Sequence, residues 1–309
     1  MRDTLERWAA ERGYHVAWGL PAVLAVARED VLARRRAGEL DAGFFAANLA
    51  EFEPQGAPLG WAAAVVVVVM PRPAHQIAFT VAGRQVDVVF PPTYVRYRPL
   101  FDEVRDDLRA HGLPGARVER VDVPLKSLAV RLGLVRYGRT NVTYDPDFGS
   151  YLQLFGYVTD APLPIPPDWQ PRAPELMPEC AECSACLASC PTGAIERERV
   201  LLRGERCLVA VNENPGEWPE WVPATAHNAI VGCLSCQRAC PANPKLPVER
   251  TGIVFSADET EALLQGRAGS GGPITDGIRA KLDRLGRVHE EPVLGRNLVA
   301  LLEARALTA

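Results

Sequence analysis

Along the chain the spacing of apolar positions changes several times, and each change predicts an element. Met1 to Trp8 is charged and helical in character, and Val23 to Arg36 and Ala42 to Phe52 have helical composition. The Arg34-Arg35-Arg36 run reads as a solvated helix end. Then Ala62 to Val69 is a continuous apolar run, β-branched in its second half and bounded by Gly60 and Pro71. That predicts a strand buried on both faces. Ile77 to Val81 and Gln85 to Phe90 predict two shorter strands around Ala82-Gly83-Arg84, a hairpin that Pro91-Pro92 ends.

Leu100 to Arg109 predicts an amphipathic helix closed near Gly112, and Leu125 to Leu134 a second one ending at Gly133 or just after it. Strand patterns return at Asn141 to Tyr144 and Tyr151 to Val158. Between Ala161 and Pro178 stand seven prolines, a stiff connection suited to a domain boundary. Beyond Pro247, Glu259 to Gln265, Thr275 to Leu285 and Leu294 to Arg305 predict helices that pack back on the larger domain. Gly266 to Gly272 has no preceding strand and no phosphate-binding lysine, and reads as a loop. The class is α+β, in three parts: an α/β domain over 1–170, a cysteine domain over 171–250, and a helical tail over 251–309.

Composition narrows the function. A chain of 309 residues with 48% hydrophobic content can bury a substantial core. With 34 basic and 38 acidic residues the net charge is −4, so no global basic field attracts nucleic acid or anionic membrane. The first residues carry no apolar signal core, and Ala62 to Met70 is too short to cross a bilayer. A soluble, cytoplasmic protein is expected.

All eight cysteines fall between Cys180 and Cys240, too confined for a disulfide scaffold. The first motif, Cys180-x-x-Cys183-x-x-Cys186-x-x-x-Cys190-Pro191, has the spacing of bacterial ferredoxin-type ligation. Three thiolates serve one cube and the fourth, a helical turn on, serves the other. The second motif, Cys233-x-x-Cys236-x-x-x-Cys240-Pro241, lacks its first cysteine, which would sit at Ile230. Cys207, 26 residues before Cys233, is the arithmetic choice to complete the set. Two 4Fe-4S clusters are expected, one on Cys180, Cys183, Cys186 and Cys240, the other on Cys190, Cys207, Cys233 and Cys236. Two zinc sites would require neither the Cys-Pro endings nor a crossed ligand set.

The segment before the cysteines carries Pro124-Leu125-Lys126, Ala129 to Leu134, Tyr137-Gly138-Arg139, Phe148-Gly149-Ser150 and Thr159 to Pro164. With Pro191 to Ile195, Arg206-Cys207-Leu208 and Gly232-Cys233, it resembles epoxyqueuosine reductases and reductive dehalogenases, over roughly residues 58 to 246. The resemblance implies a nitroreductase-like α/β domain that binds cobalamin, next to a ferredoxin-like double-cluster domain. It also implies an oxidoreductase fed by ferredoxin or flavodoxin, in which the clusters re-reduce the cobalt and a small organic substrate is reduced.

Within that resemblance, Asp122 in Val121-Asp122, or Glu119 in an ungapped match, corresponds to the family's proton donor, provided burial raises its pKa. Tyr97 is a candidate phenolic donor of the dehalogenase kind, and Arg139 a candidate for an anionic group of cofactor or substrate. Each has a plainer reading: solvated charges at a strand end, a tyrosine packed on Pro99, a structural salt bridge. The relatives' Asp-Tyr-His stretch is replaced by Tyr94-Val95-Arg96-Tyr97-Arg98. Its absence and the acidic balance count against transfer RNA as substrate. An electron-transfer adaptor without its own active centre is the other reading. Trp218 and Trp221 are expected to shield a cluster from water, and His227-Asn228 to cap or pack.

Overall fold

The computed structural model describes residues 1–50, 60–198, 201–265 and 274–308. In chain order the first elements are α1 (Arg2–Glu11), β1 (His15–Gly19), α2 (Val23–Arg36), α3 (Ala42–Asn48), β2 (Ala64–Pro71), β3 (Ala74–Val81) and β4 (Arg84–Phe90). There follow α4 (Tyr97–Asp107), β5 (Val118–Arg120), α5 (Leu125–Arg131), β6 (Arg136–Tyr137), β7 (Thr143–Tyr144) and β8 (Leu152–Thr159). The cysteine region holds three short helices, α6 (Ala185–Ser189), α7 (Leu208–Asn212) and α8 (Ser235–Ala239). The chain closes with β9 (Val248–Phe255), α9 (Ala257–Gln265), α10 (Asp276–Leu285) and α11 (Glu291–Thr308).

Two compact units emerge, Met1–Pro71 with Pro99–Cys183, and Arg72–Arg98 with Ser184–Ala309. The first is built on an antiparallel sheet in the order β1-β2-β8-β5. Its centre is the valine run, and side chains on a strand alternate between faces. Val66 and Val68 enter a core with Leu5, Trp8, Phe101, Phe155 and Tyr157. Val65, Val67 and Val69 enter another with Val23, Ala27, Leu128 and Val158. All five valines are fully buried, which at about 1.5 kcal/mol or more each explains why this run anchors the unit. The expected strand buried on both faces is therefore present.

On one face α2 and α5 are tied by an ion pair: Arg131 bonds Asp30, which also accepts from the Ser127 hydroxyl. Arg131 is thus a partly buried brace between the two helices. On the other face Asp107 accepts from Trp8 Nε1 at 2.9 Å and from Arg12 Nη2 at 2.7 Å, joining α4 to α1. Beyond α4 the chain continues as a π-helical turn, Leu108–Gly112, so the expected helix runs on to the glycine. A Cβ on Gly112 would meet Leu108 at 2.7 Å. The proline-rich stretch lies against this unit: Trp169 packs beside Leu132 in the second core, and Arg172 N donates to Arg131 O at 2.8 Å.

The second unit has a sheet in the order β4-β3-β9. The β3-β4 hairpin turns through Ala82 and Gly83, at φ +47° and +75°, the two positive values a tight hairpin turn demands. β9 joins β3 in parallel, so the tail reaches back to a hairpin from the first third of the chain. Phe79 stacks on Phe255 with centroids 4.8 Å apart, and Ile278, Leu282, Leu294, Leu298 and Leu301 cover them. No pattern in the sequence had marked β1 or β9 as strands, and β5 was anticipated only as a strand end beside Glu119 and Asp122. The helix expected over Ala42–Phe52 ends at Asn48, and the strand expected over Asn141–Tyr144 begins only at Thr143, because Asn141 takes φ +58° in a turn. Phe52 and the Gly266–Gly272 loop lie outside the described residues. Among the described residues no helix is long and apolar enough to cross a membrane.

Candidate metal centre

Cys180 closes a 3-10 turn, Pro178–Cys180, and together with Cys183 it ends the first unit. There Arg139, only 7% exposed, donates from Nη2 to the Cys180 carbonyl at 2.6 Å. At the preceding Gly138 a Cβ would meet the Tyr144 ring at 2.4 Å, so the Tyr144 ring packs directly on the glycine backbone. The residue read as a possible anion holder therefore braces the backbone of a candidate ligand.

The other six cysteines belong to the second unit. α6 packs on α8, with Cys186 and Cys236 inside these helices and Cys190 and Cys240 at their C-caps. Such helices are short because each Cys-Pro ending removes the next backbone donor. Cys207 is the N-cap of α7. Burial pushes its thiol up to about 11, and Cys233 and Cys190 add to the shift. Cys236 is pushed up further by burial, then by Cys233, Cys207, Cys190 and Cys186. Cys186, Cys190, Cys207 and Cys233 thus lie within electrostatic reach of Cys236, and Cys190 and Cys233 within reach of Cys207.

The donor set fits a metal cluster. Partly buried thiols such as Cys207 and Cys236, whose charged forms are opposed by desolvation and by one another, hold their protons until a cation replaces them, and iron bound there would supply that charge. Two sulfurs already receive N–H donors: Cys190 Sγ from Ala194 N at 3.3 Å and Cys233 Sγ from Asn228 Nδ2 at 3.2 Å. Thiolates of iron-sulfur centres are tuned by such bonds.

A polar network missed by sequence reasoning holds these loops. Asn212 donates to Gly232 O at 2.7 Å and accepts from Gly232 N at 2.8 Å, stapling the Cys207 helix to the residue before Cys233. From α11, Asn297 donates to Asn212 O at 2.8 Å and Ile230 O at 3.0 Å, and Arg296 donates to Gly216 O at 2.5 Å. Isolated asparagines carry no periodic signal, so nothing in the sequence links positions 212, 232 and 297. Asn228 was legible only as half of a capping pair, and it does cap, accepting from Leu234 N at 2.7 Å.

His227 is buried against Trp218, ring centroids 4.4 Å apart, and Arg296 lies over the same indole at 4.0 Å. Trp221 carries Arg206 at 4.3 Å. Burial, then Arg296, lowers the His227 imidazole from 6.5 to about 4. The unfolded chain therefore takes up a proton that the folded one refuses. Its contribution is complete above about pH 6.5 and is lost as pH falls toward 4, in total about 3 kcal/mol. Urea unfolding of His227→Gln should show a flatter stability profile across that window, and an identical profile would exclude this imidazole as the cause.

The candidate acids lie elsewhere. Glu119 on β5 is 45% exposed beside Arg117, and Asp122, just past β5, is 84% exposed with Arg120 at 3.4 Å. The burial required of a raised donor is absent at both. Tyr97 opens α4 in the second unit and is 36% exposed. Around β5 opens a cleft of about 570 Å³, whose walls carry Arg105, Arg109, Arg117 and Arg120 against Glu119 and Asp160. The acidic total had concealed this local excess of guanidinium.

Comparison with known proteins places these features. Residues 179–243 match the family described as 4Fe-4S double cluster binding domain. Epoxyqueuosine reductase from Shewanella oneidensis is 30% identical over 189 residues, 55% of this chain and 46% of that protein. The Bacillus subtilis enzyme of the same name is 27% identical over 138 residues, 45% of this chain and 33% of that protein. The chain thus spans less than half the length of these curated relatives. Among solved structures, an epoxyqueuosine reductase from Streptococcus thermophilus is similar with TM-score 0.66 and 17% identity, over 99% of this chain and 81% of that one. A selenomethionine-labelled epoxyqueuosine reductase gives TM-score 0.65 and 20% identity, over 99% and 83%. At these identities the structural likeness speaks for the mixed helix-and-strand fold.

Proposed function

We propose that this chain, a relative of the epoxyqueuosine reductases that carries a 4Fe-4S double cluster binding domain, is an iron-sulfur reductase. Low-potential electrons enter from a ferredoxin or flavodoxin, pass through two clusters and reduce an organic substrate. One cluster is held by Cys190, Cys207, Cys233 and Cys236, the other by Cys180, Cys183, Cys186 and Cys240. The observation that supports this reading is that thiols from both motifs and from the separate Cys207 loop lie within electrostatic reach of Cys236. Interleaved ligands keep two clusters close, which a relay requires.

The nitroreductase-like fold of the first unit and its use of cobalamin belong to this reading through the resemblance alone. Arg139, the residue offered for the cofactor, donates from Nη2 to the Cys180 carbonyl.

A specific observation favours one substrate over a free small molecule. Four arginines around the β5 cleft suit a phosphodiester chain, and one solved epoxyqueuosine reductase is complexed with an epoxyqueuosine-modified tRNA stem loop. Asp122 stands just past that strand, paired with Arg120 of the cleft wall.

The test begins with anaerobic purification with and without hydroxocobalamin, counting iron, sulfide and cobalt. The reduced protein is then incubated with epoxyqueuosine-containing tRNA, and the nucleosides are analysed. Formation of queuosine supports the RNA reading, whereas two clusters without conversion return the substrate to the small-molecule class. Asp122→Asn should slow turnover about 100-fold with cluster spectra unchanged. Full activity in that variant would move the proton donor to Glu119 or Tyr97.

A further inference from the structure

We propose that Asn228 is a positioning residue for the cluster on Cys190, Cys207, Cys233 and Cys236, and that its amide raises the reduction potential of that cluster. The inference rests on the ligand set proposed above and deepens it.

The orientation of the amide is fixed by its partners. Leu234 N–H can only donate, and it meets Oδ1 at 2.7 Å. Ala226 O can only accept, and it meets Nδ2 at 3.0 Å. An amide flip would break both bonds at once, so Nδ2 must face the sulfur. Its remaining neighbours are Cys233 Sγ at 3.2 Å and Ser235 Oγ at 2.9 Å. One of the two Nδ2 hydrogens goes to Ala226 O, and the other is shared between Cys233 Sγ and Ser235 Oγ; a thiolate can only accept, so the contact with sulfur is one arm of a shared N–H donor.

A cluster gains one negative charge on reduction, and part of that charge spreads onto the ligating sulfurs. A donor aimed at such a sulfur stabilises the reduced state more than the oxidised one and so raises the potential. Ala194 N on Cys190 Sγ acts in the same sense on the same cluster, from the other motif. The backbone donor is available to any sequence with this loop. The Asn228 donor depends on one side chain.

The test is redox titration of the cluster-loaded protein followed by electron paramagnetic resonance, with iron counted on each sample. Asn228→Asp keeps the shape and the acceptor for Leu234 but turns an acceptor toward the sulfur, and Asn228→Ala removes the group. In both, one midpoint should fall by about 59 mV, a tenfold loss in the reduction equilibrium, with the second midpoint unmoved. An unchanged midpoint at full iron content overturns the proposal.

Should both variants lose that cluster, Ser235→Ala provides the reading with Asn228 intact. Removing the competing acceptor strengthens the bond to sulfur, so the midpoint should rise, and a midpoint that stays put overturns the proposal. Two clusters with no shift defeat only the role of Asn228. A wild-type chain that never holds two clusters defeats the reading beneath it.

Discussion

Cys207→Ala is expected to lose about half of the iron and sulfide, one 4Fe-4S cluster, while the other cluster keeps its spectrum. The thiol of Cys207 is buried among Cys233 and Cys190, and no other cysteine remains to replace it. Electron delivery through the relay should fall by orders of magnitude even though the fold of the first unit, which does not contain Cys207, is untouched. Iron and acid-labile sulfide counts on anaerobically reconstituted protein decide the matter. An iron content equal to that of the wild type would show that the second cluster draws its fourth ligand from elsewhere.

Gly232→Ala should damage the same centre without touching a ligand. Gly232 has φ +78°, a left-handed value that costs a residue with Cβ about 1–2 kcal/mol. The added carbon would stand 2.6 Å from Tyr94 Oη and 2.7 Å from its Cζ. The backbone cannot rotate away, because Asn212 grips both its N–H and its carbonyl. Overpacking of this kind adds about 1–3 kcal/mol, for a total of about 2–5 kcal/mol. Chemical denaturation should show that loss, and the cluster beside Cys233 should be the first to release iron. Tyr94→Phe in the same chain should restore only part of the stability, since the ring carbon remains in the way. Full iron content with an unchanged denaturation midpoint would show that Tyr94 moves aside freely.

Legibility in the sequence followed how local each feature is. The valine run announced a strand covered on both faces, since a strand with only apolar positions leaves no face for water. The Ala82-Gly83 hairpin was legible for a similar reason, because two adjacent residues carry the whole turn. β9 was not, because Val248–Phe255 becomes a strand by pairing with β3, from a distant part of the chain. The same holds for the acids: Val121-Asp122 resembles a family motif, yet its burial depends on what covers β5, which no neighbouring residue reports. The arginine-lined cleft was hidden in a net charge of −4, since a sum carries no information on where charges meet.

By itself the sequence determined the kind of chemistry: seven of the eight cysteines stand at fixed short intervals, two of them closed by proline, and define metal-binding loops because ligand spacing within a turn is a local property. Only the tertiary structure decided that Cys186, Cys190, Cys207 and Cys233 come within reach of Cys236, that Arg139 braces the Cys180 carbonyl, and that the side-chain amide of Asn228 points at a sulfur. These depend on chain segments brought together by burial of a shared core, and on hydrogen-bond partners far apart in sequence, whose meeting no periodicity encodes.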